Sequence, residues 1–224
     1  MLEIPTGVFL SVGSSEKRTG EQDQFVKALE VLLDNSGFQV RTAAASSINP
    51  LAKIREEMNL CDGAVIVAFE RIYAKEGRER KSSKSSEKLS NLKLTTVWNQ
   101  VEAAMAYCLG LPLLIVREKG LRAEGLLEQY DWCIHETALS AESTRGEHFL
   151  GTFKDWADRV RAQHRAKSAS AKVKSKDKSK DLLTVDMPKL FAFMGTIAVL
   201  LIGAFVAGSK WPGLASVIKA MTPR

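Results

Sequence analysis

Cysteine is scarce in this chain and has no pairing pattern. Cys61, Cys108 and Cys133 are odd in number and widely spaced, with no CxxC, which excludes a disulfide scaffold and a cysteine-bound zinc and fits a reducing compartment. His135, His148 and His164 form no motif, and without metal-ligand spacing no metal is expected. The opening MLEIPTGVFLSVG is a short strand-like run ending in Gly and Ser and does not resemble a secretory leader. Aromatic residues are missing from the charged segments. The formal charge of +6 is concentrated in KEGRERKSSKSSEK (75–88) and SASAKVKSKDKSKD (168–181), and neither interleaves the aromatic rings on which single-stranded nucleic acid would stack. Nucleic acid is therefore not an expected partner. With few apolar residues, neither segment can bury a core, and both are expected to be disordered or solvated.

What the chain does have is a charge-free run. Residues 190–209, LFAFMGTIAVLLIGAFVAGS, lie between Lys189 and Lys210. At about 1.5 Å per residue, a helix of this length crosses a hydrocarbon core of about 30 Å. The N-terminal flank carries Arg161, Arg165, Lys167, Lys172, Lys174, Lys176, Lys178 and Lys180, against Lys210, Lys219 and Arg224 beyond the run. By the positive-inside rule the N-terminal domain is cytoplasmic. The expected organisation is an α/β domain over 1–166, a basic linker over 167–189, a transmembrane helix over 190–209 and a short tail over 210–224. The lipid bilayer is thus an expected partner, with the basic linker lying against anionic headgroups. Gly203 with Ala207, and Ala204 with Gly208, space small residues four apart in the span, so a homo-oligomer is expected as well.

The first 166 residues alternate in type. GVFLSV (7–12) reads as a strand, and apolar residues at helical spacing follow from Gln22 to Asn35 until Gly37 stops them. A second strand over Phe38–Thr42 leads to a helix opened by Pro50. Asp62–Gly63 turns into AVIVAF, Thr95 or Thr96 caps a helix to Leu109, and LLIV (113–116) follows Gly110 and Pro112. A short strand near Trp132–Ile134 and a helix from Glu147 to about Ala166 complete the pattern. Unbroken apolar strands separated by helices predict a flavodoxin-like, doubly wound parallel sheet covered on both faces.

In such sheets ligands bind beyond the carboxyl ends of the strands, where the strand order reverses. The residues there are Ser11, Gly13, Ser14 and Ser15 after the first strand, Thr42 after the second, Glu70 and Arg71 after the third, and Arg117 and Glu118 after the fourth. Trp98 and Glu102 stand one turn apart on the helix that follows the third strand. Glu102 is the candidate catalytic carboxylate. Ser11, Gly13, Ser14, Glu70 and Trp98 are the candidate substrate-binding residues, the Gly13–Ser15 loop offering amides to phosphates and Trp98 a face to a base.

The motifs resemble those of TIR domains over roughly residues 7–116. VFLS (8–11) is similar to their opening strand, CDGAVIVAFERIYA to the stretch where a buried strand runs into Tyr-Ala, and TVWNQVE (96–102) to a hydroxyl residue, a Trp and a Glu one turn on. Asn99 stands where many TIR domains carry Cys, and the link from Ala74 to Thr95 is longer and more basic. EAAMAYCLGLPLLIV (102–116) also resembles the nucleoside 2-deoxyribosyltransferases, in which such a Glu is the nucleophile. The resemblance implies cleavage of a ribosyl C1′–N bond by Glu102, with NAD or another nucleotide as substrate and no cofactor. Three functions stay open: a membrane-tethered NAD glycohydrolase-like enzyme, a non-catalytic TIR-like adaptor, and a deoxyribosyltransferase-like enzyme.

Overall fold

The computed structural model describes residues 5–43 and 48–183. The expected span over 190–209 and the tail lie outside the described residues, and no described helix is long and apolar enough to cross a membrane.

Five parallel strands form the core: β1 (Thr6–Ser11), β2 (Phe38–Arg41), β3 (Gly63–Ala68), β6 (Leu113–Glu118) and β7 (Cys133–Thr137). Their spatial order is β2-β1-β3-β6-β7, and the registers place Val8 beside Gly63, Ala64 beside Leu113 and Leu114 beside Cys133. Four helices connect or follow them: α1 (Gly20–Asn35), α2 (Pro50–Asn59), α3 (Val97–Cys108) and α4 (Glu147–Leu183). The period-two geometry of a strand sends alternate side chains to opposite faces. Val8, Leu10, Val65, Val67, Leu114 and Val116 meet Phe25 and Leu29 of α1 and Phe153, Trp156 and Val160 of α4. Phe9, Ala64, Ile66 and Ile115 meet Ile54 and Met58 of α2 and Ala103 and Ala106 of α3. The sheet is therefore buried on both sides, which is why its strands read as continuous apolar runs.

Helix ends follow local chemistry. Thr19 and Gln22 close a capping box at α1, with Gln22 N–H donating to Thr19 Oγ1 at 3.2 Å. Asn49 accepts from Ala52 N–H at 3.0 Å ahead of Pro50, and Thr96 accepts from Trp98 N–H at 3.0 Å. Gly37 (φ +80°) ends α1 in the left-handed region that Gly tolerates best.

Two expectations are corrected. The basic segment 75–88 is solvated, but it is not structureless. With its flanks it forms an antiparallel hairpin of β4 (Ile72–Glu79) and β5 (Glu87–Leu94), paired from Ile72–Leu94 to Glu79–Glu87. The pairing uses backbone groups, which need no apolar side chains, and Leu89, Leu92 and Leu94 supply the half-covered positions. Likewise α4 continues through Leu183 instead of ending near Ala166. Ala, Lys and Ser residues carry no helix breaker in this stretch, and Ala and Lys are good helix formers.

Candidate functional site

The strand order reverses between β1 and β3, since β1 passes to β2 on one side and β3 on the other. Ser11 is the last residue of β1 and is buried. Its hydroxyl donates to Glu102 Oε2 in a close hydrogen bond. The helix carrying Glu102 is pinned there by Asn99, whose Nδ2 donates to the Val67 carbonyl at 3.1 Å while its Oδ1 accepts from Thr95 Oγ1 at 2.8 Å. Ala103 and Ala106 are fully buried, and their small size lets α3 sit close on the sheet. Glu102, on the adjoining side of the helix, is half-buried. Burial pushes its carboxyl above the ordinary range, and the Ser11 hydrogen bond opposes that rise only in part.

A second polar group forms where β3 and β6 end. Glu118 Oε2 accepts from the Glu70 backbone N–H at 2.7 Å and from Gln22 Nε2 at 3.4 Å. The Glu70 carboxylate pairs with Lys93 of β5 at 2.8 Å. The hairpin leaves after β3 and returns just before α3, so its base stands beside the carboxyl end of β3.

The remaining candidates are distributed as follows. Gly13 is half-buried, and a Cβ there would lie 3.9 Å from the Phe69 ring, an ordinary contact. Ser14 is exposed, and its carbonyl accepts from Lys17 N–H at 2.9 Å in a short 3-10 turn over Ser15–Lys17. The Gly13–Ser15 loop thus enters a turn of its own before α1 begins at Gly20. Trp98 is 46% exposed; it anchors no core and presents its indole to solvent at the N-terminal turn of α3. No hydrogen bond joins Gly13, Ser14, Glu70 or Trp98 to Glu102 among the described residues.

Sequence reasoning missed two contributors, Asn99 and Gln22. Asn99 gave no signal because an amide in a helix is usually solvated. Gln22 reads as a capping residue, although its side chain also reaches Glu118. Arg18 pairs with Asp23 at 3.3 Å through Nη2, yet its Nε and Nη1 are buried without a partner. Two cavities lie elsewhere. One is lined by hairpin residues with Gly120 and Arg122, the other by Tyr107, Pro112, Trp132 and Arg159, and neither includes Ser11 or Glu102. Among the described residues no cluster of His, Cys, Asp and Glu is arranged to hold a metal. His164 has a structural role, with Nδ1 at 2.7 Å from Asp62 Oδ2 at the start of β3. His135 packs against His148 with ring centroids 5.2 Å apart, and burial, then His148, lowers its pKa.

Comparison with known protein families and with curated proteins returned no match for this chain.

Proposed function

We propose that this chain is a membrane-tethered N-glycosidase that cleaves the ribosyl C1′–N bond of a nucleotide such as NAD, with Glu102 as the catalytic residue. The observation that carries the reading is the Ser11–Glu102 hydrogen bond at the strand-order reversal, the place where open α/β sheets bind ligands. The strand order β2-β1-β3-β6-β7 supports the flavodoxin-like, doubly wound reading of this α/β domain. Departure of the base with the bonding electrons leaves an oxocarbenium-like ribosyl cation. The Glu102 carboxylate stabilises that cation, water adds at C1′, and a proton leaves to solvent. Gly13 and Ser14 face the phosphates, Glu70 the ribose hydroxyls and Trp98 the base in this reading. The charge-free run 190–209 spans the bilayer, the N-terminal domain is cytoplasmic, and small residues in the span support a homo-oligomer.

A non-catalytic, adaptor-type reading has its own observation. Val97 and Trp98 are 77% and 46% exposed, and Ile72 and Tyr73 of the hairpin base are also exposed, as on a protein-docking face. The deciding experiment incubates the detergent-solubilised full chain with NAD and with nucleosides, at concentrations that allow assembly. Release of nicotinamide by the wild type and its loss in Glu102→Gln supports the glycosidase. Release of base from deoxynucleosides alone supports the deoxyribosyltransferase-like alternative, and no release from any substrate supports the adaptor.

A further inference from the structure

The β4–β5 hairpin carries more charge than the fold needs. None of its strand residues is buried, and it is held by a few polar ties at one side. Arg122 N–H donates to the Lys93 carbonyl at 2.9 Å, Arg122 Nη2 pairs with Glu79 at 2.5 Å, and Lys93 pairs with Glu70 at 2.8 Å. Arg80, in the turn, and Asn91, in the second strand, adopt positive φ of 46° and 52°. These ties fix the direction of the turn instead of leaving it to a swinging arm.

The turn, residues 80–86, reads RKSSKSS: three cations, four serines and no acid. Its side-chain hydrogen bonds stay within the hairpin, from Arg80 to Glu79, Arg78 to Ser86 and Ser83 to Ser85. Lys75, Arg78, Lys81 and Lys84 are exposed and make no ion pair among the described residues. Of the acidic residues near them, Glu79 is engaged by Arg122 and Arg80 and Glu76 by Lys88, which leaves the exposed Glu87, at the start of β5, against the four cations. A fixed turn that concentrates unpaired cations and excludes acids complements an extended anionic surface.

We infer that this turn docks on the anionic lipid surface of the membrane to which the chain is tethered, through Arg78, Lys81 and Lys84. The inference rests on the membrane reading above. Lipid is favoured over single-stranded nucleic acid because the turn carries no aromatic side chain on which a base could stack, whereas clustered Lys and Arg suffice for anionic headgroups. Each such cation contributes roughly fivefold to binding at an anionic leaflet, and the attraction decays within a Debye length of about 8 Å at physiological salt.

The test uses the full chain with Cys108 replaced by Ser and a nitrobenzoxadiazole label on Ser83→Cys. It is mixed with vesicles of phosphatidylcholine, or of phosphatidylcholine with phosphatidylglycerol, that carry a headgroup quencher. Flotation with neutral vesicles reports the C-terminal anchor, and quenching of the label reports the turn. Quenching in anionic but not neutral vesicles is expected, reversed by high salt. In Lys81→Glu/Lys84→Glu the docked-to-undocked ratio should fall at least roughly 25-fold, with flotation unchanged. Flotation on both vesicles with no difference in quenching overturns the docking inference and leaves the anchor standing. Quenching on anionic vesicles without flotation on neutral ones does the reverse. A label that responds to duplex DNA and ignores anionic vesicles also overturns the inference, by assigning the turn to nucleic acid.

Discussion

The two ends of the parallel sheet are built for different purposes. At the end where the strands begin, backbone and side chains are packed to contact. A Cβ on Gly7 would lie 2.7 Å from the Leu60 carbonyl oxygen, and one on Gly63 would collide with Val160. Trp156 Nε1 donates to the Pro112 carbonyl at 2.9 Å, and Asp62 is tied to His164 and Lys167 at 2.7 and 3.2 Å. At the end where the strands stop, two separate polar groups form, Ser11 with Glu102 in one and Gln22, Glu118, Glu70 and Lys93 in the other. One end gains stability from close packing. The other keeps a half-buried carboxyl whose charged form burial disfavours, the kind of environment on which the proposed chemistry would draw.

The largest expected effect breaks the polar end without touching the packed one. Glu102→Gln should lower the rate of base release by about 10²–10³-fold, the usual loss when electrostatic stabilisation of a transition state is removed. Circular dichroism should show the fold intact, and undiminished turnover would remove Glu102 from the mechanism. Next comes the packed end. Gly7→Ala places a methyl against a backbone carbonyl that cannot rotate away, so it should cost about 1–3 kcal/mol. That lowers the thermal midpoint by about 2–12 °C for a domain of this size. An unchanged midpoint would mean that this end yields more easily than its contacts indicate.

A third measurement compares the ends through pH. Because burial raises the Glu102 pKa above its ordinary value of 4.5, the folded protein holds that proton more tightly than the unfolded chain does. The resulting stabilisation is present below the ordinary value and is lost as pH rises through the folded one. Glu102→Gln should therefore melt higher than wild type at neutral pH, with the gain shrinking toward acid. A variant that melts lower at neutral pH would show that the carboxylate is stabilised by its surroundings. The smallest effect belongs to the hairpin turn. Replacing residues 81–86 with a Gly-Ser turn of the same length should change stability by no more than about 0.5 kcal/mol, since no buried side chain is lost. A larger drop in denaturant midpoint would make the ribbon part of the core.

Much of this was legible in the residues. AVIVAF and LLIV are long enough and apolar enough to be buried strands, and they became β3 and β6. Gly37, Asn49–Pro50 and Thr96 mark helix ends through local backbone chemistry, which depends only on neighbours in the chain. The hairpin was not legible, because its central stretch lacks the alternating apolar residues that announce a strand, and cross-strand backbone pairing leaves no compositional mark. Asn99 was equally silent. Its role comes from the Val67 carbonyl, 32 residues away.

The division has a physical cause. Side-chain periodicity, capping residues and the charge-free run at 190–209 are properties of adjacent residues, and for that reason the sequence by itself determined the α/β class, the succession of the sheet's strands and helices along the chain and the position of Glu102 on α3. Which groups converge is a property of distance through space. Only the packing of α3 on β3 brings Glu102 to Ser11, 91 positions earlier, and only that enclosure raises its pKa. Likewise Trp98 turned outward because Ala103 and Ala106 took the buried face of the same helix, a choice that the tertiary structure made among side chains the sequence left equally eligible.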